Sequence, residues 1–250
     1  MGRGTSKAGV GGSRMYQTDD LDHSSKLQSA LNKEEKRTLN LKKEQMTVYD
    51  RDDEPVIHRG GTSGSVGYSI AEAQTYFYGA TITHNHPHGD ERGGVSATFS
   101  AADVDVFRYG AKEMRASGAE GTYVLRNRNF NNSSANKAVD FYNAYSVVCN
   151  QYQSTSLKEL KSAQEKASKS KIGRQYTSEL KKANKLYGAG DRRAAMQLYE
   201  HAEKTLEPAY KREVKRVVYE TMNSHLSGWL KQNAPKYGFD YVLTSTGGKK

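Results

Sequence analysis

The sequence predicts an α/β domain, a mixed sheet with flanking helices, followed by an all-α C-terminal extension. Three observations carry this expectation. Over roughly residues 38–130, short β-branched segments alternate with helix-like segments that begin on capping residues. From about residue 137 onward, apolar residues recur at mixed spacings of three and four, the period of helices. The charge changes in the same region. Residues 1–150 hold 18 basic and 18 acidic side chains, whereas residues 151–250 hold 20 and 10, so the whole formal charge of +10 sits in the last hundred residues. The chain of 250 residues therefore divides into a flexible tail at 1–20, an α/β domain at 21–136 and a basic helical extension at 137–250.

Each element has its own signal. Residues 1–20 are rich in Gly and Ser and show no periodicity. Residues 21–43 read as a short helix and its exit. QMTVYD (45–50) and PVIHRG (55–60) read as strands joined by the turn RDDE, and GGTSG is a glycine-rich connection. SIAEAQTYFYG reads as a helix with Ser69 as N-cap and Gly79 as its stop. ATITH (80–84) is a short β-branched strand that ends at the histidines. Ser100 opens a helix read over SAADVDVFRYGAKEMRASG, with Asp103 at the position that completes a capping box. GTYVLRN (121–127) is a further strand. Beyond it, 138–152, 156–168, 178–187, 192–206 and 213–232 all read as helices, and residues 225–244 read as a docking segment that folds back.

Composition excludes several classes. Hydrophobic residues are 35% of the chain, against roughly 45–50% for globular chains on a scale that also counts glycine. Seventeen tyrosines fill part of the gap. Cys149 stands alone, which excludes a disulfide framework, a cysteine-rich zinc finger, an iron–sulfur cluster and the paired cysteines of a nucleobase deaminase. Its setting among Tyr and Val at helical spacing reads as core. No apolar run approaches the ~20 residues that span a bilayer, so no membrane partner is expected. The chain reads as soluble and cytoplasmic, with virion association as an alternative. The glycine-rich segments match neither a dinucleotide fingerprint nor a P-loop.

The informative stretch is THNHPHGDERGGVSATFSAAD, residues 83–103. On a strand, the i,i+2 spacing of His84 and His86 points both rings to one face. Two imidazoles on one face suit a metal ion shared with a carboxylate, and Asp103 at the start of the next helix is the candidate third ligand. Three protein ligands and an open position are the arrangement of catalytic zinc.

HNHPHG followed by Ser100-Ala-Ala-Asp103 resembles the JAMM/MPN+ metalloprotease signature, His-x-His, a loop, then Ser-x-x-Asp. The His-Asn-His-Pro-x-Gly form is closest to the RadC-like branch and to JAB-like domains of phage and mobile elements. The resemblance covers roughly residues 40–130, about a third of the chain. It implies a cytidine-deaminase-like, JAMM-type mixed sheet with Zn2+ held by His84, His86 and Asp103. Glu44, which opens EQMTVYD, takes the role of general base and acid. Glu34, Glu35, Glu54 and Glu72 compete for that role. Ser100 is implied to hydrogen-bond the oxyanion. The implied reaction is hydrolysis of an amide or isopeptide bond in a peptide or a ubiquitin-like protein substrate. One departure is the loop 87–99, which is longer than the family's usual and glycine-rich. The alternative reading is a catalytically degenerate JAMM-like module serving phage or mobile-element assembly.

In residues 158–216, Lys and Arg are interleaved with Glu and Ala. Such runs are the solvated faces of helices, or an electrostatic patch for an acidic partner or nucleic acid. Tyr176, Tyr187, Tyr199, Tyr210 and Tyr219 recur at about three helical turns and read as core rather than as base-stacking platforms. Residues 182–208 resemble one degenerate tetratricopeptide repeat, and a single copy reads as a helical hairpin closed by Gly-Ala-Gly-Asp.

Overall fold

The computed structural model describes residues 23–87, 97–128, 135–153 and 157–244. The tail expected at 1–20 and most of the loop 87–99 lie outside the described residues. The chain begins with α1 (Ser25–Thr38), β1 (Gln45–Tyr49), β2 (Pro55–Gly60), α2 (Ile70–Tyr76) and β3 (Thr81–Asn85). It continues with α3 (Ala101–Asp105), β4 (Glu113–Gly118) and β5 (Gly121–Asn127). The second half contains α4 (Ala135–Gln153), α5 (Leu157–Ser168), α6 (Lys171–Gly188), α7 (Arg192–His201), α8 (Glu207–Asn233) and β6 (Phe239–Thr244). The strands form one mixed sheet in the order β2-β1-β3-β4-β5-β6. Among the described residues, only β3 and β4 pair in parallel. A parallel pair needs a crossover, and α3 lies in the connection between them.

Two expectations about secondary structure need correction. The span 100–118 was expected to be one helix, but it turns helical only as far as Tyr109 and then becomes β4. The break is Gly110, which sits at φ 85 with a Tyr78 ring carbon 2.8 Å from where a Cβ would be. Glu113-Met-Arg-Ala-Ser has good helix propensity, but burial overrides it. Met114 and Ala116 face the main core, while Glu113 and Arg115 enter a buried ion cluster on the other side of the sheet. The extension is also not all-α. The end of the chain folds back, as expected, and does so as the strand β6, antiparallel to β5. Gly238, at φ 86, ends the helical run, and the Phe-Asp-Tyr-Val-Leu-Thr that follows suits a sheet.

The main core lies on one face of the sheet and is continuous across residue 136. Met46, Ile82, Met114 and Leu125 from the sheet share one buried cluster with Phe99 and Phe107. Phe141 and Tyr145 of α4, Leu226 and Leu230 of α8, and Phe239 of β6 belong to the same cluster. Phe141 stacks on Phe239 at 4.4 Å between centroids. On the opposite face, Leu27 and Leu31 of α1 pack against Tyr49. There Glu35 accepts from Arg115 Nε at 2.6 Å, and Arg115 Nη1 donates to Glu113 at 2.9 Å.

The tyrosines expected in the helical core are not buried. Tyr187 is 52% exposed and the others are half-buried, while the small side chains of Ala163, Ala167, Ala183, Ala195 and Ala202 are inside. Cys149 is buried, as its setting suggested. Among the described residues, no helix is long and apolar enough to cross a membrane.

Candidate metal centre

β3 is an interior strand, hydrogen-bonded to β1 and β4. Its alternation sends the side chains of residues 82, 84 and 86 to the core face. The antiparallel register pairs Met46 with His84, so continuing it by two residues sets Glu44 opposite His86 on the same face. Backbone bonds anchor both positions. Glu44 N–H donates to Thr62 O at 2.7 Å and its carbonyl accepts from Gly61 N–H at 2.8 Å, while His86 N–H donates to Ser117 O at 2.8 Å.

Asp103 arrives from the first turn of α3. Ser100 is the N-cap, and the two residues form a capping box. Ser100 N–H and Oγ–H both donate to Asp103 Oδ2, at 2.6 and 2.7 Å, and Ser100 Oγ accepts from Asp103 N–H at 3.3 Å. The hydroxyl proton of Ser100 is thus given to Asp103. An oxyanion would have to compete for it, and in this geometry Ser100 orients the carboxylate.

The three side chains converge. His84 Nε2 lies 2.7 Å from His86 Nε2 and 3.2 Å from Asp103 Oδ1, and His86 Nε2 lies 3.6 Å from Asp103 Oδ2. Tetrahedral zinc with ligand bonds of about 2.0–2.1 Å separates its ligand atoms by about 3.3 Å. The observed separations straddle that value, so the donor set fits a small divalent cation with little movement. The set of two imidazoles and one carboxylate is one that first-row divalent metals take, zinc and iron(II) among them. His86 Nδ1 lies 2.6 Å from Ala97 O. A carbonyl only accepts, so Nδ1 carries a proton and Nε2 is the ring atom left to face a metal.

Charge also suits a cation. Burial pushes the Asp103 carboxyl up, but His84 and His86 outweigh it and hold the group well below the usual carboxylate range. Burial pulls His84 down, and Asp103 and then Glu44 more than reverse this. The Arg115 backbone also favours the charged ring, without closing a hydrogen bond on Nδ1, which is buried and unpartnered.

Glu44, His86, Ser100 and Asp103 line a cavity of about 450 Å³ whose far wall is Tyr219, Met222 and Leu226 of α8. The competing glutamates are held elsewhere. Glu34 accepts from Arg37, Glu35 from Arg115, Glu54 from Lys26 and Glu72 from Arg59. Cys149 also lines the cavity, but burial pushes its thiol up to about 11, which leaves it protonated at neutral pH.

Sequence reasoning missed the clamp behind His86. Thr98 N–H donates to Asn223 Oδ1 at 2.5 Å, and Tyr145 OH donates to Phe99 O at 2.7 Å. Thr98 Oγ1 and Ser227 Oγ each lie 2.8 Å from Tyr241 OH. Asn223 Nδ2 donates to Tyr123 OH at 2.9 Å. Residues of α4, α8 and β6 therefore grip the strip 97–99 whose first carbonyl sets the His86 tautomer. A signal existed for one of them. Asn223 is a polar residue next to Met222 and three before Leu226, on the apolar stripe of α8.

The basic stretch 158–216 lies on α5 to α8, where some cations pair locally, as in Arg216 with Glu213 and Glu220. No protein-family model, curated protein or solved structure matches this chain.

Proposed function

We propose that this chain is a zinc-dependent hydrolase of an amide or isopeptide bond, built on the plan of the JAMM/MPN+ enzymes that its HNHPHG and SAAD stretches resemble. One observation carries the reading. The inward nitrogens of His84 and His86 and the carboxylate of Asp103 lie within 4.8 Å of one another, and Glu44 stands on the wall of the same cleft. A purely structural His–His–Asp cluster has no need of a second carboxylate beside an open cavity.

Bound zinc supplies Lewis acidity and lowers the pKa of a water from about 16 towards about 7. The chain's own residues do the rest. Glu44 accepts a proton at its carboxylate and returns it to the departing nitrogen. Ser100 fixes the Asp103 carboxylate through the capping box. The Ala97 carbonyl fixes the His86 ring. Tyr219, Met222 and Leu226 of α8 give the cleft an apolar wall.

The test is metal content joined to turnover. The protein is expected to hold about one equivalent of zinc, lost in His84→Ala and in Asp103→Ala. Glu44→Gln is expected to keep the zinc and to lower hydrolysis of a peptide library by about a hundredfold or more. A folded wild-type protein without measurable zinc affinity overturns the metal reading. Full turnover in Glu44→Gln overturns the assignment of the base.

A further inference from the structure

We propose that the metal cleft continues across α8 into a second subsite, which receives an acidic residue of an extended polypeptide substrate. This inference rests on the hydrolase reading and adds a substrate class to it. A second cavity of about 240 Å³ lies between α5 and α8, with Ala163 and Lys166 on one side and Thr221 and His225 on the other. It shares Tyr152, Val218 and Met222 with the metal cleft.

Helical geometry orders the walls. At 3.6 residues per turn, Tyr219 and Leu226 point towards the metal side, Val218 and Met222 lie between, and Thr221 and His225 point outward. That order matches the cavities each residue lines. The path therefore crosses α8 instead of running along it, with Tyr152 beside it, stacked on His225 at 4.9 Å. Its middle is apolar and suits a side chain or an extended backbone.

The two ends differ in charge. Glu44 and Asp103 line the metal end. Among the described residues, no carboxylate lines the outer cavity, whereas Lys166 does. Lys166 is exposed and forms no ion pair among the described residues. A helix with its side chains is about 10–12 Å across, and an extended chain advances about 3.3 Å per residue, so Lys166 meets a residue about three positions from the bond at the metal. The excess charge of +10 in residues 151–250 favours acidic over basic segments around the helical half of the chain.

The experiment incubates the zinc-loaded full chain with a degenerate peptide library and reads the cleaved sites by mass spectrometry. Asp and Glu are expected to be enriched up to about fivefold near the third residue from the cleaved bond, the range of an exposed ion pair. In Lys166→Glu the enrichment is expected to vanish or to pass to Lys and Arg. Acid enrichment that is absent, or that persists in Lys166→Glu, overturns the subsite. Absence of all cleavage overturns the hydrolase reading instead, and binding then decides the subsite. Fluorescence anisotropy of matched acidic and basic peptides should favour the acidic set in wild type and the basic set in Lys166→Glu, and equal affinities in both proteins overturn it.

Discussion

Glu113 carries three side-chain partners on the face of the sheet opposite His84 and His86. Its carboxylate accepts from Arg115 at 2.9 Å and from Arg126 at 3.0 Å, and His23 lies 3.1 Å away. Arg115 joins it to Glu35, and Glu35 to Thr122. Burial pushes the Glu113 carboxyl up, but His23 and the two arginines outweigh it and hold it at about 2. A group depressed in the folded state contributes stability that is present above its ordinary pKa near 4.5 and lost as pH falls towards 2. Urea denaturation of the wild type should therefore show stability declining across that window. Glu113→Gln leaves the buried Arg115 and the half-buried Arg126 under-compensated and should cost about 3 kcal/mol at pH 7. It should also lose less than wild type between pH 5 and pH 2, because one titrating partner is gone. Parallel pH profiles of the two proteins exclude this role for the cluster. At the candidate metal centre the same scale explains why the residue signal was legible. His84 and His86 owe their convergence to the period of a strand, and Asp103 owes its place to a capping box, and both rules act within a few residues. Glu44 depends on register with a strand forty residues away, which no local rule reports.

At the scale of elements, the segments whose pattern agreed with their environment were readable. α1, β1, β2, β3 and β5 lie within a few residues of where propensity and turn chemistry put them. β4 and β6 were not readable, for different reasons. β4 has helix-favouring residues that a buried ion cluster and a glycine stop hold in a sheet. β6 follows a long helical run, and only pairing with β5 distinguishes its apolar residues from a helix end. The clamp on the strip 97–99 is an effect of the same scale, because α8 reaches the metal centre through a backbone carbonyl that mutation cannot remove. Asn223 is the accessible handle. Asn223→Ala removes the acceptor for Thr98 N–H and frees the Ala97 carbonyl from its register with His86. Zinc affinity, measured by competition with a chromophoric chelator, should fall by about tenfold or more, the usual effect of losing a residue that orients a ligand. Ser227→Ala, which touches only Tyr241 of this network, should change it much less. An Asn223→Ala protein that is folded and binds zinc like the wild type shows that α8 does not tune the site.

At the scale of the whole molecule, the charge boundary and the core boundary do not coincide. The net charge changes near residue 150, whereas Phe141, Tyr145, Leu226, Leu230 and Phe239 are buried in the same cluster as the sheet residues that present the histidines. Electrostatics describes the outer surface of the helices and says nothing of where their apolar side points. Burying a large apolar side chain is worth roughly 1.5–3 kcal/mol, so five of them supply roughly 7–15 kcal/mol, comparable to the roughly 5–15 kcal/mol of a whole domain. A chain ending at residue 136 loses all five and also exposes β5 as an open edge beside an uncovered apolar face. It should show no cooperative thermal transition, weak near-ultraviolet circular dichroism, a tendency to aggregate, and no stoichiometric zinc. A truncated chain that melts cooperatively and retains zinc makes the C-terminal half an appendage. The outcome expected from the shared core is that the C-terminal helices complete the candidate site, with Tyr219, Met222 and Leu226 of α8 walling the cleft beside His86.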